Sequence, residues 1–174
     1  GARFDTEPPT CKVSQQLLED SAVDIESYVM SKIMDKMARK EANLFINGTG
    51  VNQPKGILAY SDGSTYGTIE QNTTAAASTI SWTDLLVLMG DLKDKYHTNS
   101  NFLMRRQTFL AEILTNIGGD GQYIVNVFAK DGVPVSIAGY PVKFDADMPA
   151  VGTNALSVAF GDFREAYTIV DRVG

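Results

Sequence analysis

Several residue types that build active sites are scarce in this sequence of 174 residues. It contains one cysteine, Cys11, which excludes a disulfide within the sequence and a metal cluster built on several thiolates. It contains one histidine, His97, so a Ser-His-Asp or Cys-His site would have to use that residue. Because His97 follows a predicted helix and precedes a polar loop, we interpret it as a solvated or capping residue.

Two further absences concern partners. No apolar run reaches the ~20 residues that a membrane-spanning helix needs, and no signal-peptide pattern is seen, so we expect no membrane partner. Fifteen Lys and Arg residues stand against 21 Asp and Glu residues, a net charge of −6. Since neutralising phosphates requires clustered basic residues, we expect no specific nucleic-acid binding, and Arg105-Arg106 is interpreted as a surface or interface pair.

The longest regular pattern in the sequence predicts one helix over residues 14–47. Neither Pro nor Gly interrupts it, Ser14 is a suitable N-cap, and Gly48 is predicted to end it in a left-handed conformation. About 30 residues would form a rod of about 45 Å, more than a compact domain of this size needs. Methionines 30, 34 and 37 are interpreted as filling packing gaps, or as an adaptable partner surface. The apolar residues with helical spacing are Leu18, Ala22, Ile25, Val29, Ile33 and Met37.

The rest of the sequence predicts two shorter helices among strands. Ser81 and Asp84 form a capping-box pattern at the start of a helix ending near Lys95, whose apolar residues include Leu86. A third helix should place Phe109, Leu110, Ile113, Leu114 and Ile117 on one face and stop at residues 118–121. Strands are predicted at residues 101–104, 123–128, 133–137, 140–144, 156–160 and 166–170. The fold class is therefore α+β, with a long spine helix.

Candidate sites for chemistry are weak. The glycine-rich residues 48–50 and 118–121 lack the Lys-Ser/Thr of a phosphate loop and do not join a strand to a helix, so we interpret both as chain reversals. Asp145 and Asp147 could present carboxylates to a metal, but a third ligand is missing, which favours a solvated turn. We therefore predict no catalytic, cofactor-binding or metal-binding residues and no enzyme activity.

Segments around the end of the long helix resemble the major capsid proteins of tailed bacteriophages. They are LEDS at 18–21, LFINGTG at 44–50 and QPKGIL at 53–58. WTDLL at 82–86, NFLM at 101–104, GYPV at 139–142, and GDF at 161–163 with AY at 166–167 also fit, in the family's order. The candidate assembly and family-motif residues are Leu18, Asp20, Asn47, Gly48, Gly50, Pro54, Gly56, Ile57, Leu58, Gly139, Pro141, Val142, Gly161 and Asp162.

This resemblance implies a domain organisation and a function. Residues 1–13 would be an extended lead-in, 14–49 the spine helix of a peripheral domain, 50–149 an axial domain, and 150–174 strands returning towards the peripheral domain. The family's N-terminal arm, extended loop and final strands have no counterpart here, so we expect a fragment. The implied function is a structural subunit of an icosahedral bacteriophage or prophage head, a virion component assembled in the bacterial cytoplasm. It would form pentamers and hexamers enclosing double-stranded DNA, with copies of itself, scaffold, maturation protease and portal proteins as partners.

Three alternatives are left open. An encapsulin-type bacterial nanocompartment shell protein shares the architecture and would enclose an enzyme cargo instead of DNA. A soluble enzyme would depend on His97, Asp145 or Asp147. A tail or adhesion protein that binds a host receptor would expose an aromatic-rich patch.

Overall fold

The computed structural model describes residues 25–76, 78–116, 125–126 and 135–170. The chain divides into two compact units, residues 1–60 and 61–174. The predicted cap at Ser14, the predicted stop at residues 118–121 and most of the predicted strand 123–128 lie outside the described residues.

The first unit is dominated by helix α1, Ile25–Asn47, whose 23 residues end where the sequence predicts. Contacts one turn apart link its polar side chains. Arg39 lies 2.5 Å from Asp35, and the Lys32 Nζ atom lies 5.4 Å from the centre of the Tyr28 ring. Each such pair adds only a few tenths of a kcal/mol to an exposed helix. A 3₁₀ helix, Ile57–Ala59, follows in the same unit.

The second unit is built on a five-stranded sheet of order β2-β3-β4-β1-β5. Its strands are β1 Asn101–Met104, β2 Val125–Asn126, β3 Ser136–Ile137, β4 Tyr140–Phe144 and β5 Val158–Gly161. Strand β1 pairs in parallel with β4 and antiparallel with β5, so Phe102 lies opposite Val142 on one side and Phe160 on the other. The sheet is therefore mixed. It confirms the predicted α+β class.

The core of this unit lies against β1. Phe102 and Met104 alternate with half-buried neighbours along the strand, and both are completely buried. The Phe102 ring centre lies 4.6 Å from that of Phe160 and 6.5 Å from that of Tyr140, within the usual range for aromatic pairs. The buried core cluster comprises Ile80, Leu85, Phe102, Met104, Phe109, Ile113, Ile137 and Val142.

Helix α2, Trp82–Gly90, begins as predicted and ends early. The Ser81 hydroxyl accepts a hydrogen bond from the Asp84 backbone N–H, and the Asp84 carboxylate accepts one from the Ser81 N–H, which confirms the capping box. The predicted end near Lys95 is wrong. The helix stops at Gly90, a poor helix former, and a 3₁₀ helix, Asp94–Asn99, follows. Leu86 was expected on the apolar face, but it is exposed.

Helix α3 changes its winding midway. It consists of α-helical Arg106–Thr108, π-helical Phe109–Ile113 and α-helical Leu114–Asn116. The Leu114 N–H donates to the Phe109 carbonyl, five residues back. This wider turn stacks Leu114 over Phe109 and leaves Leu110 exposed, so the prediction of one continuous apolar face including Leu110 is wrong.

A final short helix corrects another prediction. Helix α4, Phe163–Ala166, begins at Asp162, whose side chain accepts a hydrogen bond from the Arg164 N–H. The predicted strand at residues 166–170 is wrong, because residue 166 ends this helix and residues 167–170 have no regular secondary structure. No helix in the described ranges is both long and apolar enough to span a membrane.

Candidate functional site

The family-motif residues of the first unit meet where the chain leaves α1. We call residues 44–58 the joint. The Gly48 N–H donates to the Leu44 carbonyl at 2.9 Å, and the Gly48 carbonyl accepts from the Gly56 N–H at 2.8 Å. A β-bridge between Thr49 and Lys55 closes the loop that connects them. The joint is thus fixed by backbone hydrogen bonds that any sequence could make, and side chains decide whether the strands can approach.

Glycine is required at Gly48 for a reason other than the predicted one. Gly48 is not among the residues with positive φ, so the predicted left-handed helix end is wrong. Gly48 is instead buried, and a Cβ atom there would collide with the carbonyl oxygens of Leu44 and Pro54. Gly56 is equally confined, since its Cβ would lie 2.6 Å from the Gly48 nitrogen. The two glycines let two backbone segments touch.

Other motif residues shape the loop between these glycines. Gly50 has φ +83° and Asn52 has φ +55°, the left-handed conformation that Gly and Asn adopt most easily. The Gln53 amide nitrogen donates to the Thr49 hydroxyl at 2.6 Å, and the Lys55 Nζ atom lies 4.0 Å from the Tyr60 ring centre. Asn47 ends α1, and Ile57 and Leu58 are half-buried in the following 3₁₀ helix.

The motif residues of the second unit flank β1 on both sides. Gly139 has φ +87° and follows Ala138 with φ +50°, a two-residue turn of the type that suits a hairpin between β3 and β4. Pro141 lies in β4 opposite Ser136, and buried Val142 lies opposite Phe102.

On the far side of β1, Gly161 lies opposite Asn101, and buried Asp162 caps α4. The structure thus brings the motif residues together as two local groups, one in each unit. Leu18 and Asp20 lie outside the described residues.

An exposed apolar surface lies along α1. Met30, Met34 and Met37 recur at intervals of four and three, which places them on one side of the helix. Their exposed fractions are 56%, 62% and 50%, so within this chain they do not fill packing gaps, and that interpretation is wrong. We call these three residues the methionine face. Val29 and Ile33 beside it are half-buried.

His97 is a structural tie, which corrects its interpretation as a solvated residue. Its Nδ1 atom lies 2.8 Å from the Tyr140 hydroxyl and its Nε2 atom 3.0 Å from the Leu92 carbonyl. Its half-buried ring also lies against Phe160, with ring centres 5.9 Å apart. When Nε2 carries the proton, it donates to Leu92 and Nδ1 accepts from Tyr140. Both ring nitrogens then have partners that hold the sheet against the 3₁₀ helix.

The remaining candidate polar groups have structural roles. Asp145 and Asp147 form the predicted turn, in which the Asp147 N–H donates to the Asp145 carboxylate at 2.8 Å. Within the described ranges, no group of three His, Cys, Asp or Glu side chains could hold a metal ion. Burial alone would raise the pKa of Asp84, but hydrogen bonds from the Ser81 N–H, the Ser81 hydroxyl and the Ala75 N–H together hold that pKa below its usual value.

Comparison with known proteins identifies the class. The sequence model of the Phage capsid family matches residues 10–174. The chain is 34% identical to a chain in a solved structure described as the capsid of a native GTA particle computed with C5 symmetry, with a TM-score of 0.73. It is also 34% identical to a chain of the empty GTA particle's capsid, likewise computed with C5 symmetry, with a TM-score of 0.74. Each match covers 86% of this chain and 53% of the other chain. No curated protein matches.

These matches define a capsid structural subunit, and they do not favour the encapsulin alternative. The chain belongs to the phage capsid family, as its sequence motifs predict. It spans about half the length of the capsid chains that it matches.

Proposed function

We propose that this chain is part of the major head protein of a tailed bacteriophage or prophage, and that it assembles into pentamers and hexamers enclosing double-stranded DNA. The observation that carries the proposal is the 34% identity, over 86% of this chain, to capsid chains whose particles were computed with C5 symmetry. Fivefold symmetry places identical subunits head to tail around an axis, so each subunit needs two different faces that fit each other.

The methionine face supports self-association. Three exposed methionines in a helix of a structural subunit provide apolar surface that is buried only when another surface covers it. Methionine also adapts its shape to its neighbours, which suits subunits that must fit both pentamers and hexamers. Following the family resemblance, we assign α1 to the peripheral domain as its spine, residues 50–149 to the axial domain and residues 150–174 to the return towards the peripheral domain.

Charge and chemistry are consistent with a passive wall. A net charge of −6 repels packaged DNA weakly rather than binding it. We further propose that the protein works without catalysis, because the polar groups once considered for chemistry stabilise turns and the sheet. Assembly in the bacterial cytoplasm, with scaffold, maturation protease and portal proteins as partners, completes this proposal.

The proposal is tested on the protein as its gene encodes it, expressed in bacteria and purified by size exclusion with light scattering. Rings or shells of many copies are expected, and shells isolated from infected or induced cells should protect DNA from nuclease. The substitutions His97→Gln and Asp145→Asn should not abolish assembly. A protein that stays monomeric at high concentration, or particles that hold an enzyme in place of DNA, would contradict the proposal.

A further inference from the structure

Asn47 and Gly48 form the one Asn-Gly pair in the sequence, and such pairs undergo a spontaneous reaction in water. The backbone nitrogen of the glycine attacks the side-chain amide carbon of the asparagine. A new C–N bond forms, the amide nitrogen leaves as ammonia, and the product is a cyclic imide. Water then opens this imide to aspartate or to isoaspartate. Glycine favours the attack because it has no Cβ to hinder the rotation that the attack requires.

The fold of the joint closes this reaction path. The attacking atom, the Gly48 nitrogen, donates its hydrogen to the Leu44 carbonyl at 2.9 Å. Asn47 is still helical, and Gly48 is buried and held by a second hydrogen bond, from the Gly56 N–H to the Gly48 carbonyl. Attack would require the Gly48 N–H to leave Leu44 and the peptide bond between Asn47 and Gly48 to rotate away from its helical position. Neither movement is possible while the joint is closed.

We propose that Asn47 is a latent site of spontaneous deamidation that is protected in the folded joint and reacts when the joint opens. The products do not fit the closed joint. Both carry a new carboxylate at the C-terminal end of α1, where the helix dipole disfavours negative charge. Isoaspartate also adds a methylene to the backbone directly before Gly48, which is confined between the carbonyls of Leu44 and Pro54. A chain whose joint stays open is therefore permanently altered at this point, whether or not the protein forms capsids.

The test measures deamidation at Asn47 by peptide mapping with isoaspartate detection, in the folded chain and in the same chain unfolded in urea at neutral pH. We expect the folded chain to react at least about tenfold more slowly, because the reaction must proceed through local opening. Hydrogen exchange of the Gly48 amide measures that opening directly, and its protection should match the slowing of deamidation.

Two variants sharpen the test. Gly56→Ala places a Cβ against the Ile46 carbonyl and the Gly48 nitrogen, so it should open the joint and accelerate deamidation at Asn47. Gly90→Ala is the matched control, because a Cβ there meets no other atom within 4 Å and the rate should stay unchanged. Equal rates in the folded and unfolded chains would overturn the proposal. So would a Gly56→Ala chain that loses Gly48 protection without reacting faster. Should Gly56→Ala fail to fold, the comparison of the folded and unfolded wild-type chains still decides.

Discussion

Replacing Met30, Met34 and Met37 together with glutamine tests whether the methionine face is buried in the assembled protein. Glutamine is about as long as methionine and forms helices about as well, so α1 itself should be preserved. Complete burial of a methionine is worth about 1.5–3 kcal/mol. Each of the three side chains keeps at least half of its surface exposed in this chain, which leaves about 1–1.5 kcal/mol per residue to be gained on assembly. The triple variant should therefore lose about 3–5 kcal/mol of association free energy per subunit, which raises the concentration needed for assembly by about a hundred- to a thousandfold or more.

The assay has two parts. Circular dichroism of the isolated chain should show unchanged helix content, and light scattering of the whole natural protein should show the loss of assembly. The double variant Lys36→Gln and Lys40→Gln is the matched control, since it changes exposed polar residues of the same helix. If the methionine variant assembles at the same concentration as the wild type while the helix is intact, the methionine face is not an assembly surface.

Two further predictions concern the second unit. Phe102→Ala should destabilise it by about 3–5 kcal/mol, because it removes a completely buried ring, whereas Leu103→Ala should cost clearly less; urea unfolding followed by Trp82 fluorescence measures both, and equal losses would contradict the proposed core. Asp84→Asn should cost about 1 kcal/mol at neutral pH, because it weakens the capping box with Ser81. Since the folded pKa of Asp84 is lowered, its contribution is complete above about pH 5 and disappears as the pH falls through that lowered pKa, so the two proteins should converge below about pH 3; a difference independent of pH would contradict this.

The parts of the fold that depend on neighbouring residues were predictable from sequence. Strand β1 follows from a short apolar run, and the capping box at Ser81 follows from the type and spacing of two side chains. The end of α1 at Asn47 was also placed correctly, although the reason given for Gly48 was wrong. A sequence shows that a position needs glycine, but only the folded joint shows whether backbone conformation or close approach demands it.

Features set by tertiary packing could not be predicted in the same way. Leu110 matches the period of an α-helix, and only the π-helical turn at Phe109–Ile113 turns it outwards. The alternation at residues 166–170 is typical of a strand, but Asp162 caps a helix there instead. The methionine face could not be told from a buried one, because helical spacing gives the side on which residues lie and not what covers it.

The central claim is that this chain works by packing against copies of itself. It is tested most directly by electron microscopy of the whole natural protein after purification, with averaging of the particles. The account predicts closed shells or rings with fivefold or sixfold symmetry, in which the methionine face of each subunit is covered. Separate single subunits at every concentration, or shells that leave this face open to solvent, would contradict it.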